Sequence, residues 1–459
     1  VSLGLMGIEF RDGSLTGIDI ERNVLTDYLR GIQLGDVSAA AIMPAGGVGK
    51  PADVQTAQPG CRIASNLIAR HAAPLGHGAA GGLATVFFAI ATHAPRCEIV
   101  ENATNIVDLS ESGVLAAGGD TLVARNEVLS AATFNPNFVL TRLPFGVVAI
   151  VTQSDAVACT IRDNRFDGLQ QAVFATGAAS GLGHRVDILQ NRVTGIESLV
   201  KALLAGKVAA GGGNPVVKLL LILERFSAIS LVALSHSRVE GNEIAVAPCG
   251  VFALDTLGTS AVANRVTASL AGVVLAIATE CDASDNIVDA SYADAPTMGV
   301  SLFGAARSVA ERNAISNVAN GIITALGTGL RVQDNDLYLT DTGIVSLIDV
   351  DLELRGNTVE DAAYTGIESI LSLHELTLAH DRALRCGYRA PGLAPTAAIG
   401  IVVLLAIGLV TIDSCHVIDT GESSNAKAPV FSGQRHGILV LFAIGTRCRF
   451  SLRLRAVIT

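Results

Sequence analysis

The stretch from Ser308 to Val359 reads SVAERNAISNVANGIITALGTGLRVQDNDLYLTDTGIVSLIDVDLELRGNTV. It repeats one phrase, apolar, any, apolar, any, any, Asn, any, apolar, centred on Asn313, Asn335 and Asn357, which are 22 residues apart. A second landmark, Gly followed by Ile, falls at Gly321 and Gly343, eight residues after one Asn and 14 before the next. Such a period is too short for a helical-hairpin repeat, which takes more than about 30 residues and a 3.6-residue pattern. It fits one coil of a parallel β-solenoid, in which short strands alternate in and out between tight corners. The alternating Val, Ile, Leu and Ala then face a narrow shared core. Asn is expected to take the left-handed corner conformation, with its amide bonding from coil to coil. Gly is expected at the second bend, where a Cβ would crowd the chain.

Outward from this stretch the phrase recurs around Asn23 (IDIERNVL), Asn66 (CRIASNLI), Asn164 (CTIRDNRF), Asn191 (VDILQNRV), Asn242 (SRVEGNEI), Asn264 (TSAVANRV) and Asn286 (CDASDNIV). These ten asparagines make up the expected ladder. Asn102 and Asn105 compete for one slot in the less regular first quarter, and Asp381 and Cys415 stand in the Asn slot of the last coils. Cys61, Cys97, Cys159 and Cys281 each lie five residues before an Asn, in a slot filled elsewhere by Ile18, Val186 or Leu352, and read as core thiols. The fold expected is an all-β, right-handed parallel β-helix with coils of about 22 residues. It forms a single domain over 1–459, with regular coils about 18–417, less regular stretches at 24–160 and 196–234, and a C-terminal loop with capping strands at 418–459. The 51 residues between Asn191 and Asn242 are read as a degraded coil with a loop.

Insertions fall at 71–80, 130–144, 386–396 and 421–436, between an Asn and the following Gly, and at 39–60 and 177–184, between Gly and Asn. Loops that leave the same part of each coil project from one side, and in solenoids that side is often the binding face.

Composition bounds the function. Only 16% of residues are charged and half are hydrophobic, which excludes a disordered chain. The formal charge of −10 and the lack of a basic run exclude a nucleic-acid binder. The longest apolar run, 397–412, is short for a spanning helix of about 20 residues, so no membrane span is expected. Val1 in place of Met reads as a processed or partial chain, and no signal peptide is visible. Eight cysteines in 459 residues are not a disulfide scaffold, and no cofactor or metal is expected. His71 and His77 share one loop without acids or thiols beside them.

The Asn and Gly landmarks together resemble the right-handed parallel β-helix repeat proteins of the pectate-lyase-like superfamily, over residues 18–417. The resemblance implies the fold, and it implies an extracellular or particle-associated setting; it leaves activity open, because this architecture hosts lyases, hydrolases, epimerases, adhesins and phage fibre proteins. The enzymes of the group use clustered Asp or Glu with Arg or Lys on the outer face of adjacent coils. Asp163, Arg165 and Asp167, beside Arg162, are the best such cluster here; Asp282, Asp285 and Asp289 form a second, and Arg331, Asp334 and Asp336 a third. The residue after the Asn does not repeat an acid from coil to coil, and there is no Trp and little Tyr for sugar platforms, so solvated corner charges explain these groups better.

One pattern points to a role. The strands GVFAL from Gly250, GVVLAIA from Gly272, GIITAL from Gly321, GIVSLI from Gly343, GIVVLLAIGL from Gly400 and GILVLFAI from Gly437 are apolar at outward positions as well as inward ones. They predict an apolar strip on one face, covered by sister subunits, another protein or the chain's own terminal segments. The leading expectation is therefore a non-enzymatic structural or adhesive β-helix, a homo-oligomer or partner of other protein subunits, presenting loops to a glycan or protein. The rival is a lyase or hydrolase of an acidic glycan working through Asp163, Arg165 and Asp167.

Overall fold

A computed structural model describes residues 4–10, 17–26, 28–34, 60–69, 87–93, 95–106, 111–117, 119–130, 145–151, 157–169, 171–177, 184–195, 197, 200, 222–290, 297–388, 397–424, 434–444 and 448–451. They fall into two compact units, Val1–Pro248 and Cys249–Thr459. Each is a right-handed parallel β-helix, with the strand pairing running coil to coil and parallel throughout. The insertion at 71–80 with His71 and His77, and most of those at 39–60, 130–144, 177–184, 386–396 and 421–436, lie outside the described residues.

In the first unit a coil has three strands. Cys61–Ala64, Cys97–Val100, Thr121–Ala124, Val157–Arg162 and Arg185–Leu189 stack before the Asn corner. Leu67–Ala69, Ala103–Ile106, Glu127–Ser130, Arg165–Leu169 and Arg192–Gly195 stack after it. A third stack runs through Phe87–Thr92, Glu111–Ala116, Phe145–Val151, Gln171–Gly177 and Ser227–Val232. Ile63, Ile99, Val123, Ile161 and Ile188 fill one inward column with no measurable exposure, each side chain burial being worth about 1.5–3 kcal/mol.

The long spacing between Asn191 and Asn242 spans a single coil. Asn191 donates from its backbone N–H and its amide to Asn242 Oδ1, at 2.9 and 3.0 Å, so the two are ladder neighbours. The described residues between them, with a helical turn at 222–226, lie within one enlarged coil. A solenoid tolerates this because an insertion leaves the stacked strands on either side in register.

The second unit keeps the 22-residue period at three of its steps, Asn264–Asn286, Asn313–Asn335 and Asn335–Asn357. Asp282–Ser284, Val309–Glu311, Thr328–Gln333, Val350–Arg355 and Leu373–Ala379 stack before the Asn corner. Met298–Phe303, Asn320–Ala325, Thr342–Leu347 and Thr365–Ile370, each with the glycine as its second residue, form another stack. The glycines are forced by close approach. A Cβ on Gly321 would lie 2.0 Å from Leu337 Cδ2 and 2.5 Å from the Gly343 carbonyl oxygen, and Gly272, Gly299, Gly343 and Gly366 meet the next coil's glycine oxygen in the same way.

One expectation is corrected here. The left-handed residue at the Asn corner is the one before the Asn: Asp163, Asp285, Arg312 and Asp334 have φ of 57°, 56°, 50° and 54°, and the ladder asparagines have none. The amide can therefore turn inward, where it is buried, and hold the coils together instead of easing the bend. Outward apolar positions on several strands of these runs are covered within the chain, whereas Leu405, Leu441 and Ile444 of the last two runs are exposed. Leu115, Val148 and Phe174 in the first unit, and Phe252, Val274 and Val402 in the second, are all buried within the single chain.

Candidate functional site

The corner charges come first. In Asp163–Asn164–Arg165, Asn164 points inward and its neighbours outward, because Asp163 is left-handed and Arg165 opens the next strand. Arg165 Nη1 donates to Glu127 Oε1 of the preceding coil at 2.9 Å, and its Nη2 lies 3.7 Å from Asp167 Oδ2. Arg162 stands 3.9 Å from Asp163. All four side chains are well exposed. The structure brings Asp163, Arg165 and Asp167 to one corner, but as paired surface charges in high dielectric, where such pairs are worth about 0–1 kcal/mol.

The same arrangement recurs along both units. Arg125 donates to Glu101 at 3.0 Å, Arg192 to Glu243 at 3.1 Å and Arg307 to Glu280 at 3.0 Å, each joining adjacent coils. Arg312 grips Asp285 with two bonds of 2.9 Å and holds that carboxyl below the usual carboxylate range. The second sequence cluster is thereby split. Asp285 is committed to Arg312; Asp289 accepts from Ser316 and Asn317 at 3.2 and 2.7 Å; Asp282, pushed up by burial, contacts Ser284.

The third cluster opens onto something the corners lack. Arg331 lines an open groove of about 380 Å³ with Gly329, Asp351, Glu353, Glu375 and Thr377. Arg331, Glu353 and Thr377 are register partners on three successive coils. A bulge between Val350 and Leu352 adds a residue opposite, so His374 and Glu375 are both exposed. His374 Nδ1 contacts Asp351, and that carboxylate raises the imidazole's pKa. Asp334 and Asp336 do not line the groove; Asp334 is the left-handed corner residue. Sequence reasoning missed Asp351, Glu353 and Glu375. The signal was present: Arg331, Glu353 and Glu375 are one period apart, but only knowledge of which strand residues face out turns that into a surface. Among the described residues no three His, Cys, Asp or Glu converge on a metal-sized site.

The ladder is the best-defined polar array. In the first unit Asn23, Asn66, Asn102, Asn126, Asn164, Asn191 and Asn242 are linked in order, each backbone N–H and each Nδ2 donating to the next Oδ1 at 2.9–3.0 Å. Asn102, not Asn105, takes the contested slot, and Asn126 is a member that the sequence pattern missed because Thr121 replaces the apolar residue five before it. In the second unit Asn264, Asn286, Asn313, Asn335 and Asn357 are linked in the same way and end on Asp381 Oδ1, which accepts both Asn357 bonds at 2.9 Å. Asp381 is wholly buried, its Oδ2 has no partner, and burial pushes its pKa up to about 7. Cys415 follows in the next coil, buried, its thiol pushed up to about 12.

Cys61 and Cys97 are register partners on adjacent coils; Cys159 lies between Thr121 and Val186; Cys281 accepts from the Thr259 N–H at 3.3 Å. All four are buried and outside any disulfide, and burial pushes Cys159 up to about 12. His374, His380 and His416 are exposed face or corner residues.

A family model described as periplasmic copper-binding protein (NosD) matches residues 209–377. No curated protein matches the chain. Among solved structures, a PL6 alginate lyase in complex with a trisaccharide is 10% identical over 91% of this chain and 90% of its own, with a TM-score of 0.45. The Streptococcus pneumoniae surface protein and adhesin PfbA is 8% identical over 75% and 91%, with a TM-score of 0.42. The tailspike protein of E. coli bacteriophage HK620 is 10% identical over 94% and 68%, with a TM-score of 0.42. Among the described residues no helix is long and apolar enough to cross a membrane.

Proposed function

We propose that the chain is a non-enzymatic structural or adhesive β-helix that assembles with other subunits and presents its outer surface to a glycan or protein. The observation that carries this reading is the state of the corner charges. Arg125, Arg165, Arg192, Arg307 and Arg312 each reach an acid on the adjacent coil, so the outer charge stiffens the coils and keeps them soluble. An acid–base pair for glycosyl chemistry needs two carboxyl groups of different character facing one bond. Asp163 and Asp167 instead share a solvated corner with arginines. The test is a panel of acidic and neutral polysaccharides, read both for new chain ends and for retention on immobilised glycan. Retention without cleavage, unchanged in Asp163→Ala and Asp167→Ala, is expected; cleavage abolished by either substitution overturns the reading.

One observation favours a second reading, a lyase or hydrolase of an acidic glycan. The groove holds a cation, Arg331, beside Asp351, Glu353 and Glu375 on adjacent coils. If the panel reveals cleavage that survives Asp163→Ala but not Glu353→Gln, the activity belongs to that groove.

A further inference from the structure

The apolar runs after the glycines extend past the covered strand and around the next corner. There Leu326, Ile348, Leu371 and Leu405 follow one another on successive coils of the second unit. The first three N–H groups each donate across to the neighbouring coil at 2.8–2.9 Å. All four are left-handed, with φ of 56°, 58°, 58° and 57°. Asn, Asp and Gly adopt that conformation most readily, and a β-branched side chain in it is an outlier. Earlier coils of the same unit place Asp255, Ile277 and Gly304 in this column. Burial does not explain the choice either: Leu326 is 64% exposed, and Ile348 and Leu405 are each 43% exposed. Leu347 and Ile370 flank the column on one side, and Ile407 and Ile444, themselves exposed, on the other.

We infer that this ridge is the contact through which two copies of the chain pair. The inference deepens the assembling-subunit reading above and rests on it. Four to five coils at about 4.8 Å, and about six residues at 3.3 Å around the corner, give a footprint of roughly 400 Å², the size of a monomer's largest apolar patch, which is often functional. A standard interface takes about 800 Å² from each partner, with an apolar core and a polar rim, and the ridge supplies such a core. The repeat selects the partner. Knobs spaced by one coil can seat along their full length only between knobs of the same spacing, and a second copy related by a two-fold axis presents them. A surface without that repeat would engage one or two knobs.

The test is sedimentation equilibrium of the full chain at micromolar concentration, wild type against Leu326→Asn/Ile348→Asn/Leu405→Asn. Asparagine suits the left-handed corner, so the variant keeps the fold, checked by an unchanged far-UV circular dichroism spectrum and a Tm equal to or above wild type. A twofold mass for wild type and a single-chain mass for the variant are expected, with Val24→Asn, an exposed apolar residue of the first unit, leaving the dimer intact. A variant that still dimerises overturns the ridge while leaving assembly in place. A monomeric wild type overturns the self-pairing itself, including the outcome in which another protein or a further segment covers the ridge. Neither result bears on the glycan panel, which tests the non-enzymatic reading separately.

Discussion

Asp381 should make this protein lose stability as pH rises through neutrality, and Asp381→Asn should abolish that loss. Ladder asparagines such as Asn335 and Asn357 use Oδ1 to accept from the previous coil and Nδ2 to donate to a backbone carbonyl of that same coil: Asn335 Nδ2 reaches the Ala310 oxygen at 3.0 Å and Asn357 Nδ2 the Val332 oxygen at 2.8 Å. In Asp381 the Oδ1 bonds are kept, but Oδ2 stands where the donor should be, buried and without a partner. A proton restores a donor there, so burial favours the neutral acid and moves the pKa from the ordinary 3.8 to about 7. Because the folded chain holds the proton more tightly than the unfolded one, the stabilisation is complete below the unfolded pKa and is lost as pH rises through the folded one. At about 1.36 kcal/mol per unit, the full loss between pH 4 and pH 8 is about 4 kcal/mol. Asparagine supplies the donor at every pH. Urea unfolding followed by circular dichroism at pH 4, 6 and 8 should show the variant about 2–4 kcal/mol more stable than wild type at pH 8, the gap closing towards pH 4. Taking the difference cancels Asp349 and Glu368, whose carboxyls burial also raises. A variant that follows wild type at all three values, or is weaker at pH 8, would refute the buried-donor argument.

Asn313→Ala removes four ladder bonds, two accepted from Asn286 and two donated to Ala283 and Asn335, and strands buried partners; a loss of about 3–5 kcal/mol is expected in the same urea assay. Gly321→Ala drives a Cβ into the Leu337 side chain and the backbone of the next coil and should cost about 1–3 kcal/mol, whereas Gly437→Ala, whose nearest neighbour would be 3.8 Å away, should be neutral within about 0.5 kcal/mol; a differential scanning calorimetry comparison checks both. In Arg312→Ala the Asp285 carboxyl should return upward to the ordinary carboxylate range, read by NMR titration of its side-chain carbon.

What the residues alone determined is the coil. A 22-residue period with alternating apolar positions, an Asn at one corner and a Gly at the next can wind only as a parallel spiral, because each local preference agrees with the others. Asn126, and the choice of Asn102 over Asn105, escaped that reading, since ladder membership is decided by which coil stacks on which. Two matters belonged to the tertiary structure. Whether an outward apolar residue is covered depends on what lies across it: Val274 and Phe252 are buried, whereas Leu326 and Ile348, later in the same kind of run, are not. Likewise Arg331, Glu353 and Glu375 became one groove only through register and a bulge, and Asp163, Arg165 and Asp167 became paired corner charges only when Glu127 arrived from the preceding coil. Periodicity sets the path of a chain from local preference; exposure and charge pairing depend on neighbours many residues away, which no single coil encodes.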